Sequence, residues 1–152
     1  MKKLALAQLL FLIIGCSSGV IVHDQTRAAE LIVDFLTSLK SDSGIKLAYA
    51  WTDDRYKEEV SFTEFTHVVS SIRNRILGAD IHLVGYEVFG PKEVIVVYAN
   101  SEASEGKIHF KFSLVGTKTK DYYLINLSTS DSEFRKIGIY REYDPSIIIQ
   151  GV

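Results

Sequence analysis

The sequence predicts an α+β fold: three N-terminal helices packed on a curved four-stranded antiparallel sheet, in two layers. Two observations carry this. Apolar residues recur with a helical period up to Gly78 and with a period of two from Ile81 onward. The strand-like runs are also joined by connections too short for crossovers, which makes neighbouring strands antiparallel.

The first helix follows from Ala28, Leu31, Ile32, Phe35, Leu36 and Leu39, which form one apolar stripe with Glu30, Asp34 and Lys40 off it. Asp42-Ser43-Gly44 reads as the break after it. A second, shorter helix carries Ile45, Ala48 and Tyr49 and extends toward Trp51. The third opens on Ser61-Phe62-Thr63-Glu64, a capping box, with Val60 and Phe65 at the two positions of a hydrophobic staple. Its stripe runs through Phe65, Val68, Val69, Ile72 and Ile76, and Gly78 supplies the stop.

Residues 81–89, 93–99, 107–115 and 122–128 then read as strands, rich in Val, Ile, Tyr and Phe. Turn signals separate them at Gly90-Pro91, 103–106 and 116–120. The third strand alternates cleanly, Ile108, Phe110, Phe112 and Leu114 against Lys107, His109, Lys111 and Ser113. One face is therefore wet and the other covered, and the helices are the available cover. Residues 131–152 are too apolar for a free tail, with Ile137, Ile139, Tyr140, Tyr143 and three isoleucines at 147–149. An added edge strand, packing on the helices and docking on a partner all fit that composition.

The 152 residues, 47% hydrophobic and 24% charged, make one ordinary globular domain. A single Cys excludes an internal disulfide and a Cys-based zinc site. His23, His67, His82 and His109 stand at no metal-ligand spacing, and no HExxH, GxSxG or Gly-rich phosphate loop occurs. Neither a metal nor a cofactor is expected.

The N-terminus has its own logic. Lys2 and Lys3 precede an apolar run, 4–14, broken only by Gln8. That is a secretory signal, and it is shorter than the about 20 residues that a membrane span needs. Ile13-Ile14-Gly15-Cys16 then resembles the bacterial lipobox. The resemblance implies diacylglyceration of the Cys16 thiol and cleavage between Gly15 and Cys16. Acyl chains at roughly 0.8 kcal/mol per buried methylene would make that anchor effectively permanent. Ser17, where aspartate would retain a lipoprotein at the inner membrane, implies the outer membrane with the domain facing the periplasm. The organisation expected is therefore signal peptide 1–15, lipidated Cys and tether 16–25, domain 26–130 and extension 131–152. Cleavage removes two lysines and leaves 15 basic against 19 acidic residues, a formal −4. An acidic chain without a basic stripe points away from nucleic acid.

Three helices followed by a meander also resemble the cone-shaped, cystatin-like fold of the nuclear transport factor 2-like superfamily, in particular its small bacterial secreted domains. The likeness rests on Phe35-Leu36, Ala48-Tyr49-Ala50-Trp51, Ser61 to Phe65 and Arg73-Asn74-Arg75-Ile76-Leu77-Gly78. It implies a pocket between curled sheet and helices, used by some members for catalysis and by others for binding or dimerisation.

The pocket candidates are Tyr49, Trp51, Phe62, His82, Tyr86 and Tyr98. A pocket enzyme of isomerase, dehydratase or hydrolase type would use His82 or Asp80 with a tyrosine, Tyr86, Tyr98 or Tyr123. His82 and Tyr86 are four apart in a strand and so share a face. Ile81, Leu83 and Gly85 offer an equally good core face, which would turn His82 to water. Fold alone does not choose among functions. The absent catalytic constellation favours a non-catalytic lipoprotein binding a partner protein or a small apolar ligand. A structural subunit of an envelope or secretion assembly is the other alternative. A homodimer through the sheet would bury Lys107, His109 and Lys111.

Overall fold

The structure, a computed structural model, describes residues 21–151 except 91, 104 and 105, so the signal segment, Gly15 and Cys16 lie outside the described residues. Among the described residues the architecture is α+β, four helices over a five-stranded antiparallel sheet.

Helix α1 spans Gln25–Ser38, and Asp24 caps it by accepting from the Thr26 and Arg27 amides, both at 3.1 Å. Its buried stripe is Ala28, Ala29, Ile32, Phe35 and Leu36, so Ala29 joins the sequence pattern while Leu31, expected in the stripe, is only half-buried. Helix α2 is Asp42–Ala50. Asp42-Ser43-Gly44 is therefore the first turn of α2 and not a break; Ser41 is its cap, accepting from the Gly44 amide at 3.1 Å. Gly44 is needed for another reason: a Cβ there would fall on the Ser38 carbonyl, where α2 starts against the end of α1.

A short helix α3, Asp54–Glu59, precedes the long helix α4, Phe62–Ile76. No residue of α3 is buried, so it left no apolar period to read, and the helix count rises from three to four. The capping box of α4 forms as the sequence predicts. The Ser61 hydroxyl accepts from the Glu64 amide at 3.3 Å, and the Glu64 carboxylate accepts from the Ser61 amide at 2.9 Å. Hydrogen bonds from the Ser61 hydroxyl and amide hold the Glu64 carboxyl below its ordinary pKa. That contribution is present above the ordinary glutamate range and is lost as pH falls through the lowered value. Ser61→Ala should cost about 1 kcal/mol; a urea midpoint unchanged from wild type would show that the box contributes nothing. On α4 the buried positions are Phe65, Val69, Ile72 and Ile76, whereas Val68, expected in the stripe, is 46% exposed.

The strands are β1 Ile81–Val88, β2 Val94–Ala103, β3 Gly106–Thr117, β4 Lys120–Ser130 and β5 Ile139–Ile149, in the spatial order β4-β3-β2-β1-β5. The C-terminal segment thus adds an edge strand: β5 pairs with β1 from Val88↔Ile139 to Ile81↔Ile149. The first four strands form the expected meander, each hairpin neighbouring the last.

Residues 131–138 join strands on opposite edges of the sheet and therefore cross it. The helices occupy one face, and the segment takes the other, where the Lys136 ammonium lies 5.2 Å from the ring centroids of both Tyr98 and Tyr140.

Between sheet and helices the space is filled. Phe110 and Phe112 stack 6.0 Å apart, Phe112 meets Phe35 edge-on at 6.3 Å, and Phe35 meets Phe65 at the same distance. All four rings are buried. The alternation expected of β3 holds, with Ile108, Phe110, Phe112 and Leu114 buried.

Register shifts bend the sheet, and two of them decide which way side chains face. In β1, Leu83 pairs with Ala99 and Gly85 with Tyr98, leaving Val84 as an extra residue. In β4, Leu124 pairs with Leu114 and Asn126 with Ser113, leaving Ile125. Each extra residue is a β-bulge, which reverses the facing of everything beyond it.

Candidate functional site

The Val84 bulge decides the fate of the His82–Tyr86 pair. His82 pairs with Asn100, on the face away from the helices, while Tyr86 pairs with Val97 and packs against the core. The two side chains are on opposite faces, contrary to the unbroken-strand reading. The Tyr86 ring lies tilted against that of Tyr143 at 5.3 Å, and the Tyr143 hydroxyl donates to the Gln25 carbonyl at 3.2 Å. His82 instead lines an open groove of about 510 Å³ with Asp80, Asn100 and Glu102 at one end of the sheet. The Asp80 carboxylate there accepts from the Gly151 amide at 3.0 Å. Among the described residues no hydrogen bond joins it to His82.

The other candidates are equally dispersed. Tyr49 lies at the seam of α2 and α4, its ring 5.4 Å from Phe62 and 5.2 Å from Phe65, its hydroxyl donating to the Val60 carbonyl at 2.8 Å. Phe62 is 43% exposed beside it. Tyr98 is buried on the face away from the helices. Trp51 stands apart from all of these. The six residues do not converge on one pocket.

A buried carboxylate escaped the sequence reading. Glu87 is fully buried in β1, beside Tyr98 on the face that residues 131–138 cross. The Tyr98 hydroxyl donates to Oε2 at 2.5 Å, and the Ile137 and Gly138 amides both donate to Oε1. Burial first, and then the Glu87 carboxylate, raise the Tyr98 pKa well above the usual phenol range, so Tyr98 remains a donor. Gly138 is required by close approach, since a Cβ there would meet the Val88 carbonyl at 2.6 Å. Gly85 likewise leaves room for Tyr140, whose hydroxyl would lie 2.5 Å from an added Cβ. One signal was available: an isolated glycine inside a strand pattern marks a bulge or a close approach. Every acceptor position in use on Glu87 binds the chain itself, so this cluster is a fastening for the C-terminal segment.

The groove with binding character lies between α1 and the β4 edge. Residues 51–53 run beside β4: the Leu124 amide donates to the Trp51 carbonyl and the Asp53 amide to the Leu124 carbonyl, both at 2.9 Å. The buried Thr52 between them bonds the Tyr49 carbonyl at 2.8 Å. Trp51 is thereby held at the edge of the sheet opposite α1. With Leu31, Glu30, Asp34 and Tyr123 it lines an open cavity of about 310 Å³. Tyr123, at 42% exposure, is one of the large apolar side chains left to solvent. At the mouth the Arg27 guanidinium pairs with Asp121 at 2.6 Å and donates to the Lys118 carbonyl at 3.3 Å. The Tyr122 hydroxyl closes the floor by accepting from the Asp24 amide at 2.8 Å; burial raises its pKa.

Among the described residues no three His, Cys, Asp or Glu side chains come together as metal ligands, and no helix is long and apolar enough to cross a membrane. No family model matches the chain, and neither does a curated protein or a solved structure.

Proposed function

We propose that the protein is a lipid-anchored envelope lipoprotein, acylated at Cys16, whose domain binds a partner protein without catalysing a reaction. The observation that carries the binding reading is the Trp51 groove, where a half-buried indole and an exposed tyrosine face an open cavity beside a helix. Aromatic residues of this kind are enriched at interfaces, because one side chain supplies both apolar area and a polar handle.

The non-catalytic part is supported by the scatter of the candidates. His82 and Tyr86 lie on opposite faces, and Glu87, the one fully buried carboxylate among the described residues, is committed to Tyr98 and two backbone amides. The resemblance to nuclear transport factor 2-like domains, many of which bind without turnover, agrees with it. A packed interior of Phe35, Phe65, Phe110 and Phe112 leans against a small apolar ligand held between the layers. Ser17 after Cys16 supports an anchor in the outer membrane with the domain facing the periplasm.

The test is photo-crosslinking in a two-membrane bacterium, with a photoreactive residue replacing Tyr123 in the full chain. The expected result is a discrete crosslinked species in the membrane fraction and a mature N-terminus at an acylated Cys16. Cys16→Ala should leave an unacylated precursor and abolish the crosslink. An unmodified, soluble wild-type chain would remove the anchor, and irradiation without a discrete product would remove the binding groove.

A further inference from the structure

Glu30 and Asp34 stand one turn apart on the exposed side of α1, both lining the Trp51 groove. Like charges at this spacing repel one another along a helix. Asp34 also lies near the C-terminal end of α1, where the helix dipole disfavours a negative charge. Neither carboxylate makes an ion pair among the described residues. Arg27, the cation of the groove, is already committed to Asp121 and the Lys118 carbonyl. The pair of carboxylates therefore does nothing for the helix that carries it.

We propose that this groove receives a lysine or arginine side chain presented by an extended segment of a partner protein. The chemistry on its walls matches such a side chain part by part. Trp51 and Tyr123 line the groove, and aromatic side chains attract cations, tryptophan best of all. Leu31 offers an apolar surface for the aliphatic stem. Glu30 and Asp34 supply the uncompensated charge, since the four ionised lining residues Arg27, Glu30, Asp34 and Asp121 sum to −2. A neutral apolar ligand would desolvate those carboxylates and give them no partner, and an anion would be repelled. The cavity, at about 310 Å³, sits at the lower limit of small-molecule pockets and suits one long side chain with its flanking backbone. The inference rests on the reading of the domain as a binding module and names what the module recognises.

Trp51 is the only tryptophan in the chain, so its fluorescence reports on the groove alone. The full-length protein in detergent micelles is titrated with an acetylated, amidated Gly-Arg-Gly peptide and with the same peptide carrying citrulline, the neutral isostere of arginine. The expected result is a saturable fluorescence change with the arginine peptide, at least tenfold weaker with citrulline and weakened by added salt. The double variant Glu30→Gln, Asp34→Asn, altered only at exposed positions, should lose affinity by a similar factor. Equal responses to the two peptides, an unchanged response in the double variant, or no saturable response at millimolar peptide would each overturn the proposal. A discrete crosslink at Tyr123 alongside any of those outcomes would leave the binding reading standing and remove only the preference for a cation.

Discussion

Glu87→Ala should lower stability by on the order of 3 kcal/mol, because it strips the acceptor from three donors at once. The Tyr98 hydroxyl and the Ile137 and Gly138 amides all point at this one carboxylate. Removal of the carboxylate's own burial cost offsets part of the loss, which keeps the figure below the sum of three abandoned hydrogen bonds. For a chain of this size the change corresponds to a fall in Tm of roughly 10 °C. Glu87→Gln should be much milder. Its carbonyl can still accept from the two amides, while its NH2 donates to the Tyr98 oxygen. The ordering of the two variants separates loss of hydrogen bonding from mere disturbance of a buried site. Limited proteolysis gives a second readout, with cutting within 131–138 accelerated in Glu87→Ala before the rest of the domain is touched. Equal stability of wild type and Glu87→Ala would show that the segment is fastened by its β5 pairing alone.

Phe112→Ala is expected to cost about 4 kcal/mol, within the range found when a buried phenylalanine is truncated in a packed core. Phe112 is fully buried and touches both layers, stacking on Phe110 within β3 and meeting Phe35 of α1 edge-on. Its loss opens a cavity at the seam where neither layer can collapse without moving the other. Against a total stability that starts at about 5 kcal/mol for an ordinary domain, this variant is close to unfolding. Urea denaturation should show a large fall in midpoint with an unchanged slope. Adding Phe35→Ala should cost less than its effect alone, by 0.5 kcal/mol or more, since the two rings share one contact. Strict additivity would mean that the rings stabilise the fold independently.

What the sequence disclosed and what it hid divide along physical lines. The α1 and α4 stripes, the Ser61 cap and the β1–β4 hairpins were legible because periodic burial and local capping act over a few residues. The bulges at Val84 and Ile125 were not, since Leu83-Val84 and Leu124-Ile125 are apolar in either phase and leave no mark when the register slips. That single ambiguity set the His82–Tyr86 expectation on the wrong footing. The β5 strand was masked by Arg141, Glu142, Asp144 and Pro145, which suit an exposed edge and hide its alternation. The role of Glu87 depends on amides 50 and 51 residues away, a distance at which local pattern is silent. Of the groove, Trp51 was picked out as a residue type, but its neighbours Glu30, Asp34 and Tyr123 are brought to it only by the pairing of residues 51–53 with β4.

Under the proposed acylation of Cys16, the place where the chain joins the sheet would set which end of the protein meets a bilayer. The Val22 carbonyl accepts from the Lys118 amide at 2.8 Å and His23 bonds the Lys92 carbonyl at 3.0 Å, so the first described residues are fixed beside the β3–β4 and β1–β2 turns. Only five peptide steps separate Cys16 from Ile21, about 18 Å at full stretch. An acylated Cys16 would therefore stand the domain on these turns, with Arg27 and Asp121 at the level of the headgroups. The groove of Asp80 and His82 would be raised by the length of the eight-residue β1, roughly 27 Å. A segment reaching Glu30 and Asp34 would then bind close to the bilayer surface.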